Sequence, residues 1–143
     1  MDLKFKKISI IGLGLIGTSI LQAIKVKEDN ELVTFAYDIN PRHTEIVLQM
    51  KIATFVCDDI KDAVREADLV ILAVPVGSMK TVAKLMATFL KKNTIVTDTG
   101  STKRSVIRDV SPYIPDNVFF IPSHPLAGTE YSGPKSRFRS LFE

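Results

Sequence analysis

The 143-residue sequence predicts a doubly wound, mostly parallel α/β sheet with helices on both faces. Three observations carry this expectation. Short runs rich in β-branched residues alternate along the whole chain with segments whose apolar residues recur at helical spacing. The runs are apolar throughout, as strands covered on both faces must be. The first of them, Ile8 to Ile11, passes directly into Gly12, Gly14 and Gly17, a G-x-G-x-x-G spacing at a strand-to-helix turn.

Each glycine of that turn has a physical task. The first permits a tight turn, the second lets a diphosphate approach the backbone, and the third lets the following helix pack close to the strand. The N–H groups at the start of the helix, at Leu15 and Ile16, then face the phosphates with the positive end of the helix dipole. Lys4, Lys6 and Lys7 ahead of an apolar run imitate a secretory signal, but three glycines break the run. It continues instead as an amphipathic helix with Ile16, Ile20, Ala23 and Ile24 on its apolar side.

Glu31 to Asp38 reads as the second strand and ends on an acid. Asp38 lies 21 residues beyond Gly17, the spacing at which a Rossmann-type dinucleotide-binding fold sets a carboxylate on the adenosine ribose. It can equally serve the turn, because Asn40-Pro41 next to it forms a helix N-cap followed by proline at the first helical position. A carboxylate here favours the free 2′-hydroxyl of NAD over the 2′-phosphate of NADP, while Arg42 partly offsets that repulsion. NAD is the expected cofactor and NADP the second choice. His43 is expected to be a solvated surface histidine.

The second helix is expected to bury Ile46, Val47 and Met50, and Ile52 to Val56 to form the third strand. Asp58 and Asp59 open a helix through Ala63, Val64 and Ala67. Leu69 to Val74 is a fully buried strand by composition, stopped by Pro75. The helix from Ser78 to Leu90 buries Met79, Val82, Ala83, Met86, Phe89 and Leu90, its methionines serving as core filling. Thr94 to Asp98 is the fifth strand, and Ser101 or Thr102 caps a helix carrying Val106, Ile107 and Val110, closed by Pro112. A last strand, Val118 to Ile121, runs into the loop containing His124. The whole reads as one dinucleotide-binding domain over residues 1–143.

Composition excludes several classes of function. No apolar run approaches the roughly 20 residues that span a bilayer, so no membrane role is expected. The net charge of +3 comes from basic residues spread along the chain, which argues against nucleic acid and suits an anionic small molecule. Cys57 is the single cysteine, a small apolar residue at a strand end; with no intramolecular disulfide possible, a reducing cytoplasm is the expected setting. No metal-ligand set is expected.

All seven glycines are expected in loops after strands one, four, five and six. In a parallel sheet those ends share one edge, and ligands bind in the crevice outside it. The glycine loop, Asp38, Val74 and Pro75, the Gly100-Ser101 turn and the His124 loop should therefore surround one site. The opposite edge, with Lys91-Lys92-Asn93, reads as merely solvated. His124 is flanked by Pro122 and Pro125 and followed by Gly128, Glu130 and Gly133, a stiff and specified turn. Beside a nicotinamide it suits a general base for a substrate hydroxyl as hydride leaves; otherwise it only holds its own loop. Ser101 either orients that chemistry or caps its helix. Lys103 meets a carboxylate or faces solvent, and Glu130 binds, gates or caps.

GLGLIGTS at 12–19, YDINP at 37–41, AVPV at 73–76, DTGSTK at 98–103 and HPLAGTEYSG at 124–133 resemble the prephenate and arogenate dehydrogenases of tyrosine biosynthesis. The likeness covers almost the whole chain in order, and the last motif is its most specific part. It implies NAD-dependent oxidative decarboxylation of prephenate or arogenate, with His124 taking the proton of, or a hydrogen bond from, the ring hydroxyl, Ser101 supporting it, and Glu130 at the mouth of the site. It also implies a mostly helical C-terminal domain that forms a homodimer and supplies cationic groups for substrate carboxylates. Because the sequence stops at Glu143, the chain is expected to bind NAD with little dehydrogenase activity alone. Two other readings stay open: the cofactor half of a β-hydroxyacid or pyrroline-carboxylate type NAD(P) dehydrogenase, and a non-catalytic NAD-binding module.

Overall fold

The computed structural model describes residues 5–27 and 31–123. Six strands form one sheet: β1 (Lys7–Ile11), β2 (Val33–Tyr37), β3 (Phe55–Val56), β4 (Leu69–Leu72), β5 (Ile95–Asp98) and β6 (Phe119–Phe120). Between them lie α1 (Leu15–Val26), α2 (Pro41–Met50), α3 (Ile60–Val64), α4 (Val76–Met86) and α5 (Lys103–Val110). The strand order is β3-β2-β1-β4-β5-β6 and every pairing is parallel. Strand order therefore reverses between β1 and β4, which opens a crevice at their carboxyl ends.

The apolar runs are explained by two cores, one on each face. Ile8 and Ile10 of β1, Ala36 of β2 and Leu69 and Ile71 of β4 pack with Ile20, Leu21 and Ile24 of α1 and Val47 of α2. Ile11, Phe35, Val70, Leu72 and Val96 face the other way, against Ile60 and Val64 of α3, Met79, Ala83 and Met86 of α4, and Val106 and Val110 of α5. Neighbours along a strand point to opposite faces, so a strand between two helical layers must be apolar at every position. Ser9 breaks that pattern: it is fully buried in β1, and its hydroxyl has no hydrogen-bond partner among the described residues.

Several expectations about faces and bounds need correction. Only Val47 of α2 is buried; Ile46 and Met50 are exposed. The helix rests on β2 and on a β3 of only two residues, a ledge too narrow to cover three helix positions. β3 starts late because the Thr34 and Thr54 hydroxyls each accept the other residue's N–H, at 2.9 and 3.0 Å, in place of ladder bonds. The fourth helix begins earlier than expected, after Pro75, and ends at Met86; a 3-10 turn follows and leaves Phe89 exposed. Ile107 of α5 is exposed as well. Gly17 and Gly77 lie inside α1 and α4, not in loops. Gly128 and Gly133 fall outside the described residues.

The edge expected to be merely solvated is also structured. Lys91 Nζ donates to Asp68 Oδ1 at 2.8 Å, Asp68 Oδ2 accepts the N–H groups of Lys6 and Lys7, and Asn93 donates to Asn117 O. Cys57, just past β3, is half-buried; burial first, then the charges of Asp62 and Asp58, push its thiol above the ordinary value, which disfavours the thiolate.

Candidate functional site

The carboxyl ends of the strands gather most of the residues singled out in the sequence. At the end of β1, Gly12 takes φ +102°, and a Cβ there would stand 2.6 Å from Ala73 O and 2.9 Å from Val74 Cγ1. The turn after β4 thus presses against the glycine loop, and only glycine fits both the angle and the space. At Gly17 a Cβ would lie 1.8 Å from Gly12 O, so α1 starts hard against the loop it leaves.

Gly14 is different. Its Cβ would meet nothing within 4 Å among the described residues, so no contact with them accounts for a glycine there. Gly14 caps α1 without a side-chain hydrogen bond, the first turn carries no acidic residue, and Leu15 beside it is 86% exposed. An uncapped, unshielded helix start beside open space is suited to an anion that approaches the backbone. The residues present therefore fit a diphosphate, with Leu15, Ile16 and Gly17 forming the first turn.

Asp38 closes the adjoining side, where β2 ends. Its Oδ2 accepts the Leu13 N–H at 2.7 Å and lies 2.9 Å from His43 Nδ1, while Oδ1 accepts the Asn40 N–H at 2.8 Å. Asp38 serves the turn: the carboxylate ties β2 to the glycine loop, and it uses three of its about four acceptor positions. Burial pushes its carboxyl up, but the N–H groups of Asn40 and Leu13 and the His43 ring outweigh it and hold Asp38 below the ordinary carboxylate range. It stands as an anion at neutral pH.

The neighbouring turn follows the sequence closely. Asn40 accepts the Arg42 N–H at 3.0 Å as N-cap of α2, with Pro41 at the first helical position and Arg42 exposed. His43 is not merely solvated: it is the side-chain partner of Asp38. Sequence reasoning missed this pair because the residues belong to different elements; the signal was an acid five residues before a histidine, across a capped helix start.

Beyond the switch point, Val74 is half-buried and Pro75 exposed at the N-cap of α4. Asp98, at the end of β5, is fully buried and organises the next two loops. Its Oδ2 accepts the Gly100 N–H at 2.7 Å and the Lys103 ammonium; its Oδ1 accepts the Ser123 N–H at 3.2 Å. This carboxylate, not a hydroxyl cap, holds the turn: Thr102 takes the N-cap position of α5 without a side-chain bond, and Ser101 is exposed beside it. The carboxylate that Lys103 meets is the chain's own. The spacing D-x-G-x-x-K at 98–103 was the available signal, an acid aimed at a glycine N–H and a helix-borne lysine.

The structure therefore brings the glycine loop, Asp38, Val74, Pro75, Ser101 and Lys103 to one sheet edge. His124, Gly128 and Glu130 lie outside the described residues, though Ser123, next to His124 in the chain, is fixed through its N–H. Among the described residues no cluster of His, Cys, Asp and Glu suits a metal ion, and no helix is long and apolar enough to cross a membrane.

Comparison with known proteins bears on the same edge. A family model described as the nucleotide-binding domain of prephenate dehydrogenase matches residues 22–143. A cyclohexadienyl dehydrogenase from Zymomonas mobilis is 48% identical over 139 residues, covering 97% of this chain and 47% of that protein. A prephenate dehydrogenase from Lactococcus lactis is 37% identical over 140 residues, covering 96% of this chain and 39% of that protein. Among solved structures, a prephenate dehydrogenase from A. aeolicus in complex with hydroxyphenyl propionate and NAD+ superposes with a TM-score of 0.75 at 26% identity, over 90% of this chain and 44% of that one. The chain spans about half, or less, of the length of these relatives.

Proposed function

The chain belongs to the prephenate dehydrogenase family, matching its nucleotide-binding domain, and from that premise we propose that it is the cofactor half of an NAD-dependent dehydrogenase that oxidatively decarboxylates prephenate or arogenate. The observation that carries the reading is Gly14: a glycine whose Cβ would meet none of the described residues, at the start of α1, which has no side-chain cap. In this reading the backbone of residues 12–17 holds the diphosphate, Asp38 accepts from the adenosine ribose, and Val74 and Pro75 line the way toward the nicotinamide. NAD is preferred over NADP because Asp38 is anionic and repels a 2′-phosphate, which carries about −1.5 to −2 charges at neutral pH. When bound, NAD supplies the hydride acceptor.

The chain's own residues supply the rest. His124 holds or accepts the proton of the substrate's ring hydroxyl as hydride leaves its carbon, and aromatisation then drives loss of carbon dioxide. Ser101 orients that hydrogen bond. Glu130 and Gly128 are assigned to the same site by the family resemblance, Glu130 influencing access to it. Asp98 supports the arrangement by holding Gly100 and Ser123, the residues just before Ser101 and His124. Lys103 is engaged by Asp98, so the cations for the substrate carboxylates come from a mostly helical C-terminal domain that forms the homodimer, in the part of the relatives that this chain does not span. The setting is cytoplasmic.

NADH formation from prephenate tests the reading. The 143-residue chain alone is expected to bind NAD and to form little NADH; robust turnover by it would overturn the division into cofactor and substrate halves. Joined to a helical C-terminal domain, the His124→Asn variant should lose about 10²- to 10⁴-fold in kcat while NAD affinity holds. Activity indifferent to that change would favour a β-hydroxyacid or pyrroline-carboxylate type enzyme, and no activity at all a non-catalytic module.

A further inference from the structure

Among the described residues, two side chains at the carboxyl ends of β2 and β3 are left without a packing or hydrogen-bonding task. The ladder between these strands sets Phe35 level with Phe55 and Ala36 with Val56, and it runs on to Cys57, whose N–H donates to Ala36 O at 2.8 Å. Asp58 therefore follows level with Asp38, on a strand whose backbone lies about 4.8 Å away where the two pair. Asp58 is exposed and makes no hydrogen bond or ion pair among the described residues. The acids that follow it are engaged: Asp59 caps α3 by accepting the Lys61 N–H at 2.9 Å, and Asp62 lies 4.0 Å from Arg65. Ile39, the residue after Asp38, is the other: a large apolar side chain 86% exposed on the turn out of β2.

We propose that Asp58 reads the base of the dinucleotide: its carboxylate accepts a hydrogen bond from the exocyclic amino group of adenine, with Ile39 against the face of the ring. This rests on the reading of Asp38 as the ribose carboxylate. The diphosphate then lies at the glycine loop after β1 and the ribose at the end of β2. The base, on the far side of the ribose from the diphosphate, falls toward the end of β3, where Asp58 stands.

The two side chains match the two aspects of a purine. Its face is flat and apolar, and covering Ile39 with it removes apolar surface of both from water. Its edge carries the identity of the base: adenine presents an amino donor at the position where guanine, and likewise hypoxanthine, presents an oxygen acceptor. A carboxylate only accepts, so Asp58 attracts the amino group and repels the carbonyl oxygen. A hydrogen bond to a charged acceptor is also stronger than one between neutral groups. An asparagine in its place could turn its amide to suit either base.

The test is dissociation constants, by calorimetry on the 143-residue chain, for NAD and for nicotinamide hypoxanthine dinucleotide, in which a carbonyl oxygen replaces the amino group. The wild-type chain should bind NAD about tenfold more tightly than the analogue, the effect of one hydrogen bond to a charged acceptor at an exposed site. Asp58→Ala should lose NAD affinity but not analogue affinity, bringing the two within about twofold of each other. Asp58→Asn should likewise bind both alike. Asp62→Ala removes a like charge from the same stretch of chain and should keep the wild-type preference. Ile39→Ser should weaken both dinucleotides about threefold or more, with their ratio unchanged. Equal wild-type affinities for the two dinucleotides, a preference that survives Asp58→Ala, one that Asp62→Ala abolishes as fully, or undiminished affinities in Ile39→Ser would overturn the assignment and leave the reading of the site in place. Absence of NAD binding by the wild-type chain would overturn the reading of Asp38, and this assignment with it.

Discussion

Asp98 and Ser123 are joined across the end of the sheet: Asp98 Oδ1 accepts the Ser123 N–H at 3.2 Å over 25 residues of chain, while its other oxygen holds the Gly100 N–H and the Lys103 ammonium. Asp98 is fully buried and the Lys103 side chain only 15% exposed, so removing the acid strands a cation and frees two loops. Asp98→Ala should cost about 3 kcal/mol, read as a lower urea midpoint at unchanged slope. An unmoved midpoint would show that the carboxylate does not organise this edge.

Gly14 and Gly17 separate binding from folding. A Cβ at Gly17 would collide with Gly12 O at 1.8 Å, backbone against backbone, so Gly17→Ala should cost about 4 kcal/mol or prevent folding. At Gly14 the space is open, and Ala should change stability by about 1 kcal/mol or less while lowering NAD affinity about tenfold or more, because the methyl group fills the diphosphate's place. Equal effects of the two substitutions on stability, by thermal melting, would contradict the assigned roles.

Asp68 makes a pH-dependent contribution. Burial pushes its carboxyl up, but Lys91 and the N–H groups of Lys7 and Lys6 outweigh this and hold it below the ordinary value. A folded-state pKa below the unfolded one means stability that is present above the unfolded value of about 3.9 and lost as pH falls through the folded value. Asp68→Asn should therefore be less stable than wild type at neutral pH, by about 1 kcal/mol given its partial exposure, with the gap closing in acid. A gap that persists in acid would point to packing instead.

Ser9 is the one buried side-chain oxygen without a partner among the described residues. Among the described residues its hydroxyl has no hydrogen bond to offset its burial, so Ser9→Ala should be neutral or raise stability by up to about 1 kcal/mol. A loss above that figure in chemical denaturation would reveal a hydrogen bond to Ser9.

Much of this was legible in the sequence, and the reason is locality. Strand burial is written in runs such as LVIL at 69–72, turn chemistry in Asn40-Pro41, and the close approaches at Gly12 and Gly17 in residue type. What stayed hidden were pairings set by strand order or by the angle at which a helix leaves a turn. Lys91 reaches Asp68 because β4 and β5 are neighbours, Thr34 reaches Thr54 because β2 and β3 are, and His43 reaches Asp38 because α2 folds back over the end of β2. Each of those partners is ambiguous along the chain and single-valued in space. The narrow ledge at β3, which exposes Ile46 and Met50, likewise depends on a strand length that periodicity does not specify.

The central claim is that a dinucleotide lies on the glycine loop at the β1–β4 switch point, and titrating NAD into the isotopically labelled chain while following backbone amide resonances tests it most directly. The account predicts saturable shifts at Leu13 to Gly17, at Asp38 to Asn40 and at Val74, with Lys91 to Asn93 on the opposite edge unmoved. No saturable shift, or shifts centred on that opposite edge, would contradict it.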